Sequence, residues 1–252
     1  VIRRCALWLG AAAALTIAAC IDMSPPKSGV GSISQLLLPS PSVVVGDVMR
    51  DSLGAPAPLS IIAYDARFQP IPGLPAQFFV LDTGAHVNEA GLLFGDRVSS
   101  VRVIGSIAGL QTLGTTVPVT VPPDSLKRVG TADSLVAIPG GDSTQNMSTP
   151  LSVTVTGVGG TGVNMFVVRY RILYAPAAGP GQPPTAYIGN DAARPSNADT
   201  TDAAGGASRR AVLRIRSLGV NLPDSIVVEA SASYKGALIK GAPSRFVVRV
   251  KP

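Results

Sequence analysis

Leu151-Ser-Val-Thr-Val-Thr156 and, just beyond it, Phe166-Val-Val-Arg-Tyr-Arg-Ile-Leu-Tyr174 decide the fold. In the first stretch Leu151, Val153 and Val155 face one way while Ser152, Thr154 and Thr156 face the other. In the second, Phe166, Val168, Tyr170, Ile172 and Tyr174 form one apolar stripe opposed by Arg169 and Arg171. A period of two is that of a strand with one buried face, and it excludes a helix over either stretch. Val228, Ala230, Ala232 and Tyr234 repeat the pattern, as do Phe246, Val248 and Val250. Several such strands separated by turn residues predict a β-sandwich.

Working back from there, strands are expected at Ser42 to Val45, Leu59 to Tyr64, Ala76 to Leu81, Ser99 to Ile104 and Thr115 to Val121, and Pro122-Pro123 closes the series. The halves end alike: Val101 to Val121 and Ile226 to Val250 both read strand, glycine-containing turn, strand. The 27 glycines and 22 prolines, set among many Val, Thr and Ser, suit short strands and turns rather than long helices. An all-β chain with two tandem sandwiches is expected, over residues 33–123 and 124–252. The polar stretch before them, Asp22 to Ser32, has no apolar period and serves as a tether within residues 20–32.

The N-terminus carries an address. Arg3 and Arg4 precede an apolar run from Ala6 to Ala19, whose 14 residues fall short of the roughly 20 that span a bilayer as a helix. Small residues at Ala18 and Ala19 open the bond before Cys20 to a peptidase. Residues 1–19 are thus expected to be a signal peptide, and Ile17-Ala-Ala-Cys20 resembles the lipobox of bacterial lipoproteins. That resemblance implies cleavage between Ala19 and Cys20, acylation of Cys20, and a bacterial envelope location, at the outer membrane or cell surface. Multiple acyl chains on one cysteine would hold the chain on a membrane almost permanently, at about 0.8 kcal/mol per buried methylene. Cys5 leaves with the signal, so the folded part holds no cysteine for a disulfide or a thiolate metal site.

Charge divides unevenly. Residues 21–123 carry five Lys/Arg against seven Asp/Glu, whereas residues 124–252 carry fourteen against eight. A basic second half suits anionic glycans or lipid headgroups, although a solvated strand face accounts for this much charge more simply. Nucleic acid is not expected, because export removes it and the basic residues are not interleaved with aromatics.

Leu59-Ser-Ile-Ile-Ala-Tyr-Asp-Ala, Gln69-Pro-Ile-Pro-Gly-Leu-Pro-Ala-Gln-Phe and Ala90-Gly-Leu-Leu-Phe-Gly together resemble the bacterial immunoglobulin-like domains of groups 1 and 2. Val153-Thr-Val-Thr-Gly, Val167-Val-Arg-Tyr and Thr201-Asp-Ala-Ala-Gly-Gly-Ala resemble the same superfamily. Gly157 to Asn164 lacks the acidic turn residue usual there, and Ala175 to Ser208 is unusually long for a loop. The resemblance implies stalk or adhesive modules without a catalytic set, hence a non-enzymatic adhesion, binding or spacer role. The membrane would be one partner, through the N-terminal lipid, and envelope or host glycans or proteins the others. A purely structural envelope subunit is an alternative.

Four motifs bear on chemistry. Gly157, Gly159 and Gly162 match G-x-G-x-x-G, but a phosphate loop must open a helix and a strand follows, so a hairpin-like turn is expected. Asp82-Thr-Gly-Ala85 resembles the aspartic-peptidase signature, in which two carboxylates share a proton. No second copy exists in the chain, so that alternative is a dimeric hydrolase built on Asp82. His86 is the only histidine, which leaves no histidine metal cluster, and it is expected at a loop or edge. In the long loop, Tyr187, Asn190, Asp191, Asn197, Asp199 and Asp202 are the candidate contact residues. Their oxygens match no calcium-loop spacing, so neither metal nor cofactor is expected.

Overall fold

The computed structural model describes residues 29–130, 133–138, 146–175, 177–178, 180–190, 195–214 and 224–251. Among them every regular element is a strand. The Leu151–Gly157 strand alternates buried and half-buried residues along its whole length, as its valines and threonines demand. It lies in a four-stranded sheet with the order Pro123–Val129, Leu151–Gly157, Gly206–Leu213, Ala186–Gly189. Facing it is a five-stranded sheet with the order Ser134–Val136, Ser244–Lys251, Ser225–Ser231, Val167–Tyr174, Ala198–Thr200. Leu151, Val153 and Val155 from one sheet meet Val168, Tyr170, Val228 and Phe246 from the other in a single core.

The first half is built on the same plan with shorter strands. Val43–Val44, Thr115–Thr120, Ser99–Ile107 and Gln77–Val80 form one sheet in that order. Ser32–Ile33, Ala63–Tyr64 and Pro70–Ile71 form a second, and Ala85–Val87 pairs with Leu93–Gly95. Val43, Met49, Leu93, Val101, Val103, Val117 and Val119 fill its core. In both halves the last long strand runs antiparallel to the one before it and parallel to a short early strand. Thr115–Thr120 pairs with Val43–Val44, and Ser244–Lys251 with Ser134–Val136. Each half also inserts a two-residue hairpin turn between those last strands, Ala108-Gly109 and Lys235-Gly236, all four residues at positive φ as a type I′ turn requires. The chain is two immunoglobulin-like sandwiches in tandem, all β.

One local device recurs through both halves. Asp51, Asp65, Asn88 and Asp202 each accept, on one side-chain oxygen, the backbone N–H groups two and four residues on. The residue three positions on is left-handed in every case: Gly54, Phe68, Gly91 and Gly205. An Asx side chain substitutes for a backbone acceptor and so closes a short hairpin loop. Gly205 is also required sterically, since a Cβ there would stand 2.2 Å from the Val155 carbonyl oxygen. Opposite it, a Cβ on Gly162 would fall 2.3 Å from the Ala204 carbonyl carbon. The G-x-G-x-x-G stretch is therefore a tight turn, closed by Gly160 N–H on the Gly157 carbonyl, and its last glycine admits the Asp202 loop.

Two expectations are corrected. Ala175 to Ser208 is not one loop: it contains Ala186–Gly189, buried at every residue, and Ala198–Thr200, in opposite sheets. The chain thus crosses from one sheet to the other and back before Gly206, a path that covers both sheets' edges. The apolar stripe of the Val167–Tyr174 strand also ends early, because a bulge between Ile172 and Tyr174 turns Tyr174 outward. Excision of residues 178–204 should accordingly abolish the cooperative thermal melt of the second half. Tyr170→Ala and Ile188→Ala should each lower its stability, by about 3 to 5 and about 2 to 5 kcal/mol, measured by denaturant unfolding.

Candidate functional site

The two sandwiches meet without a free linker. Thr120 ends the last strand of the first and Pro123 begins the first strand of the second. The Lys235-Gly236 hairpin of the second half then reaches back across the joint. Tyr234 Oη donates to the Val45 carbonyl at 2.7 Å, and the Lys235 N–H donates to Asp47 Oδ2 at 2.8 Å. On the other side, Ser42 Oγ donates to the Met165 carbonyl at 2.6 Å, and Arg169 donates to the carbonyls of Asp51 and Ser52. Val44 packs into the core of the second half.

Asp47 is the centre of this joint. Burial pushes its carboxyl up, but the Arg50 guanidinium and the N–H groups of Lys235 and Val48 outweigh that and hold it below the usual carboxylate range. Arg169 is lowered as well, here by burial of the guanidinium, with Asp51 pulling it back up and Arg50 adding to the fall. Backbone strain collects here too, since Met165 and Lys235 are both left-handed non-glycine residues.

Beside the joint, on the outer face of the five-stranded sheet, lies a groove of about 660 Å³. Its floor includes Arg171, Asn197 and Glu229, and its walls include Leu53 from the first half and Leu238 from the second. Strand register places Arg171, Glu229 and Arg245 in one row across three strands. Arg171 Nη2 donates to Glu229 Oε1 at 3.0 Å, and Arg245 Nε lies 3.8 Å from Glu229 Oε2. The glutamate is 11% exposed at its side chain while the two arginines are 72% and 69% exposed. The arrangement can present fixed cationic donors to a ligand.

Of the residues marked in the sequence, Asn197 lines this groove. Tyr187 is buried, with the Arg214 guanidinium 4.3 Å above its ring, and Asn190 donates to the Ser208 carbonyl. Asp199 pairs with Arg209 at 2.8 Å and accepts the Ser208 N–H, while Asp202 closes its own turn. These two carboxylates hold the fold together. Asp191, and likewise Ala19 and Cys20, lie outside the described residues. Near Asp199 the buried Tyr170 hydroxyl and Arg209 Nε have no hydrogen-bond partner among the described residues, and burial, then Asp199, raises the tyrosine. The joint and the groove were missed from sequence. The outward Arg169 and Arg171 were the signal that pointed to this face.

Asp82 stands in the bend just beyond the Gln77–Val80 strand, and it is not poised for acid–base work. The Arg102 side chain donates to both its oxygens at 3.0 and 2.9 Å, and the Arg102 N–H adds a bond at 2.8 Å. These bonds, the guanidinium first, hold the carboxyl down to about 2. His86 sits in the short Ala85–Val87 strand, stacked on Phe94 and 2.9 Å from the Asp96 carboxylate. Among the described residues no three His, Cys, Asp or Glu side chains gather as a metal site.

No family model matches the chain, and no curated protein does. Among solved structures it is similar to domains 4 and 5 of the S-layer protein SbsC, at 12% identity and a TM-score of 0.32 over 88% of this chain and 99% of that one. It is also similar to the Yersinia pseudotuberculosis adhesin InvE, at 15% identity and a TM-score of 0.34 over 90% of this chain and 61% of that one. The Escherichia coli adhesin FdeC shows 14% identity and a TM-score of 0.31 over 86% of this chain and 65% of that one.

Proposed function

We propose that this chain is a non-catalytic protein of a bacterial cell envelope, lipid-anchored at Cys20, whose sandwiches hold a binding or spacing surface at a fixed distance from the membrane. The joint carries this proposal. A flexible linker would let the second half sample many orientations, whereas hydrogen bonds on both sides of the junction fix one. Each contributes about 1 kcal/mol net, and those to an ionised carboxylate more. The anchor is supported by the charged, apolar and small-residue pattern that ends at Cys20.

The hydrolase alternative on Asp82 loses support. A proton-sharing pair needs one carboxyl that keeps its proton, and Arg102 drives Asp82 toward the ionised form.

Three outcomes check these statements. Cys20→Ser should abolish acyl labelling; labelling that persists would exclude the anchor. For the joint, spin labels at Glu89→Cys and Lys127→Cys should give one narrow distance distribution in the parent chain. Asp47→Ala combined with Tyr234→Phe should broaden it, and a parent distribution already broad would defeat the fixed-spacing proposal. For Asp82, a carboxyl titration followed by NMR should show a midpoint near pH 2. Because the folded value lies below the ordinary one, the stability that Asp82 contributes is present above the ordinary carboxylate range and is lost as pH falls through about 2. Asp82→Asn should remove that pH dependence, with no peptidase activity in either protein.

A further inference from the structure

We propose that the outer face of the five-stranded sheet, from the groove at Arg171 across Arg245 to Arg249, binds an anionic polysaccharide. This rests on the proposal that the chain is displayed on an envelope, where such polymers are within reach.

Strand alternation supplies the surface. With Val168, Tyr170, Val228, Phe246 and Val248 turned into the core, Arg169, Arg171, Glu229, Arg245, Arg249 and Lys251 all project outward. Five cations thus share one face with a single carboxylate on its strands. Arg169 is committed to the carbonyls of the first half. Arg171 and Arg245 share Glu229, which orients both guanidinium groups while leaving N–H donors of each unspent. Arg249 and Lys251 have no carboxylate partner among the described residues. A guanidinium fork matches a carboxylate, sulfate or phosphate in two parallel bonds, so the complementary ligand is acidic.

Geometry selects a polymer over a single small anion. Outward residues on one strand recur about every 7 Å, which sets Arg245 and Arg249 about 14 Å apart, with Arg171 two strands, about 10 Å, to the side. Acid groups repeated along a chain can meet several of these at once. The groove narrows the class further. Asn197, Ser196 and Ser231 offer an amide and hydroxyls, and Leu53 and Leu238 give apolar walls, a mixture that suits a hydroxyl-rich chain with apolar ring faces. Among the described residues Tyr170 is the one aromatic along the groove and its ring is buried in the core, so these residues offer nucleobases no stacking platform.

The test uses the full chain in detergent with fluorescently labelled polygalacturonate, in competition with unlabelled polygalacturonate, dextran sulfate, neutral dextran and duplex DNA. Both acidic polysaccharides should compete, and their ranking separates carboxylate from sulfate recognition. Neutral dextran should not compete, and DNA should compete at least tenfold more weakly than polygalacturonate. Arg171→Gln with Arg245→Gln should weaken binding at least tenfold. Arg67→Gln with Arg97→Gln removes the same charge from the first half and should change it less than twofold. Because the first pair leaves Glu229 without its partners, Arg249→Gln with Lys251→Gln, which touch no carboxylate, provides an independent loss of at least threefold. Thermal melts confirm folding of each variant. Absence of binding to both acidic polymers, equal losses from both halves, or DNA bound as tightly as polygalacturonate would overturn the proposal. Failure with a narrow Glu89–Lys127 label distance would remove the polysaccharide site and leave the fixed spacing standing.

Discussion

The Asp47 carboxylate is the interaction on which the arrangement of the two halves turns. It accepts from its neighbour Val48, from Arg50, and from the Lys235 N–H in the other sandwich. A buried carboxylate is costly unless its lone pairs are bonded; Val48 and Arg50 supply three donors, and the second half adds a fourth on Oδ2. Separation of the sandwiches would take the Lys235 donor from Oδ2, leaving it the Arg50 bond, and would expose Val44, which sits in the core of the second half. The same closure brings the Asp51 loop over Arg169 and so builds one wall of the groove. Joint and groove are two results of one packing arrangement.

Strain at the joint is consistent with this. Met165 and Lys235 are held in left-handed backbone, and each gives its carbonyl or its N–H to the opposite half. Such conformations cost about 1 to 3 kcal/mol and persist where surrounding contacts determine them. Lys235 is carried by the type I′ turn, whose counterpart Ala108-Gly109 in the first half has the same left-handed pair without spanning a joint.

Much of the fold was legible in the sequence because its strands are buried on one face only. Leu151 to Thr156 and Val167 to Arg171 alternate cleanly, and the structure follows them residue by residue. Ala186–Gly189 was not legible for the opposite reason: it is buried on both faces, so it has no period, and prolines precede it. The bulge after Ile172 leaves no mark in a stripe that continues to Tyr174. For the site, Arg169 and Arg171 could be placed outward, but Glu229 and Arg245 join them only through strand pairing. The contact of Lys235 with Asp47 spans 188 positions and has no local signature. The candidate contact residues were chosen as oxygen donors in a loop, and Asp199 and Asp202 instead spend those oxygens on the fold.

The parallel pairing of a short early strand with the last strand has a mechanical meaning. Pulls on the N-terminal end of Val43–Val44 and the C-terminal end of Thr115–Thr120 act on two parallel neighbours. For parallel neighbours those pulls are opposed along the strand axis, so the hydrogen bonds between them are loaded together in shear instead of being unzipped one by one. Ser134–Val136 against Ser244–Lys251 repeats the geometry in the second half. Resistance to such a load is set by the rate of unfolding rather than by equilibrium stability, so two short pairs that add little to the folding free energy govern how each sandwich yields to a pull between its first and last strands.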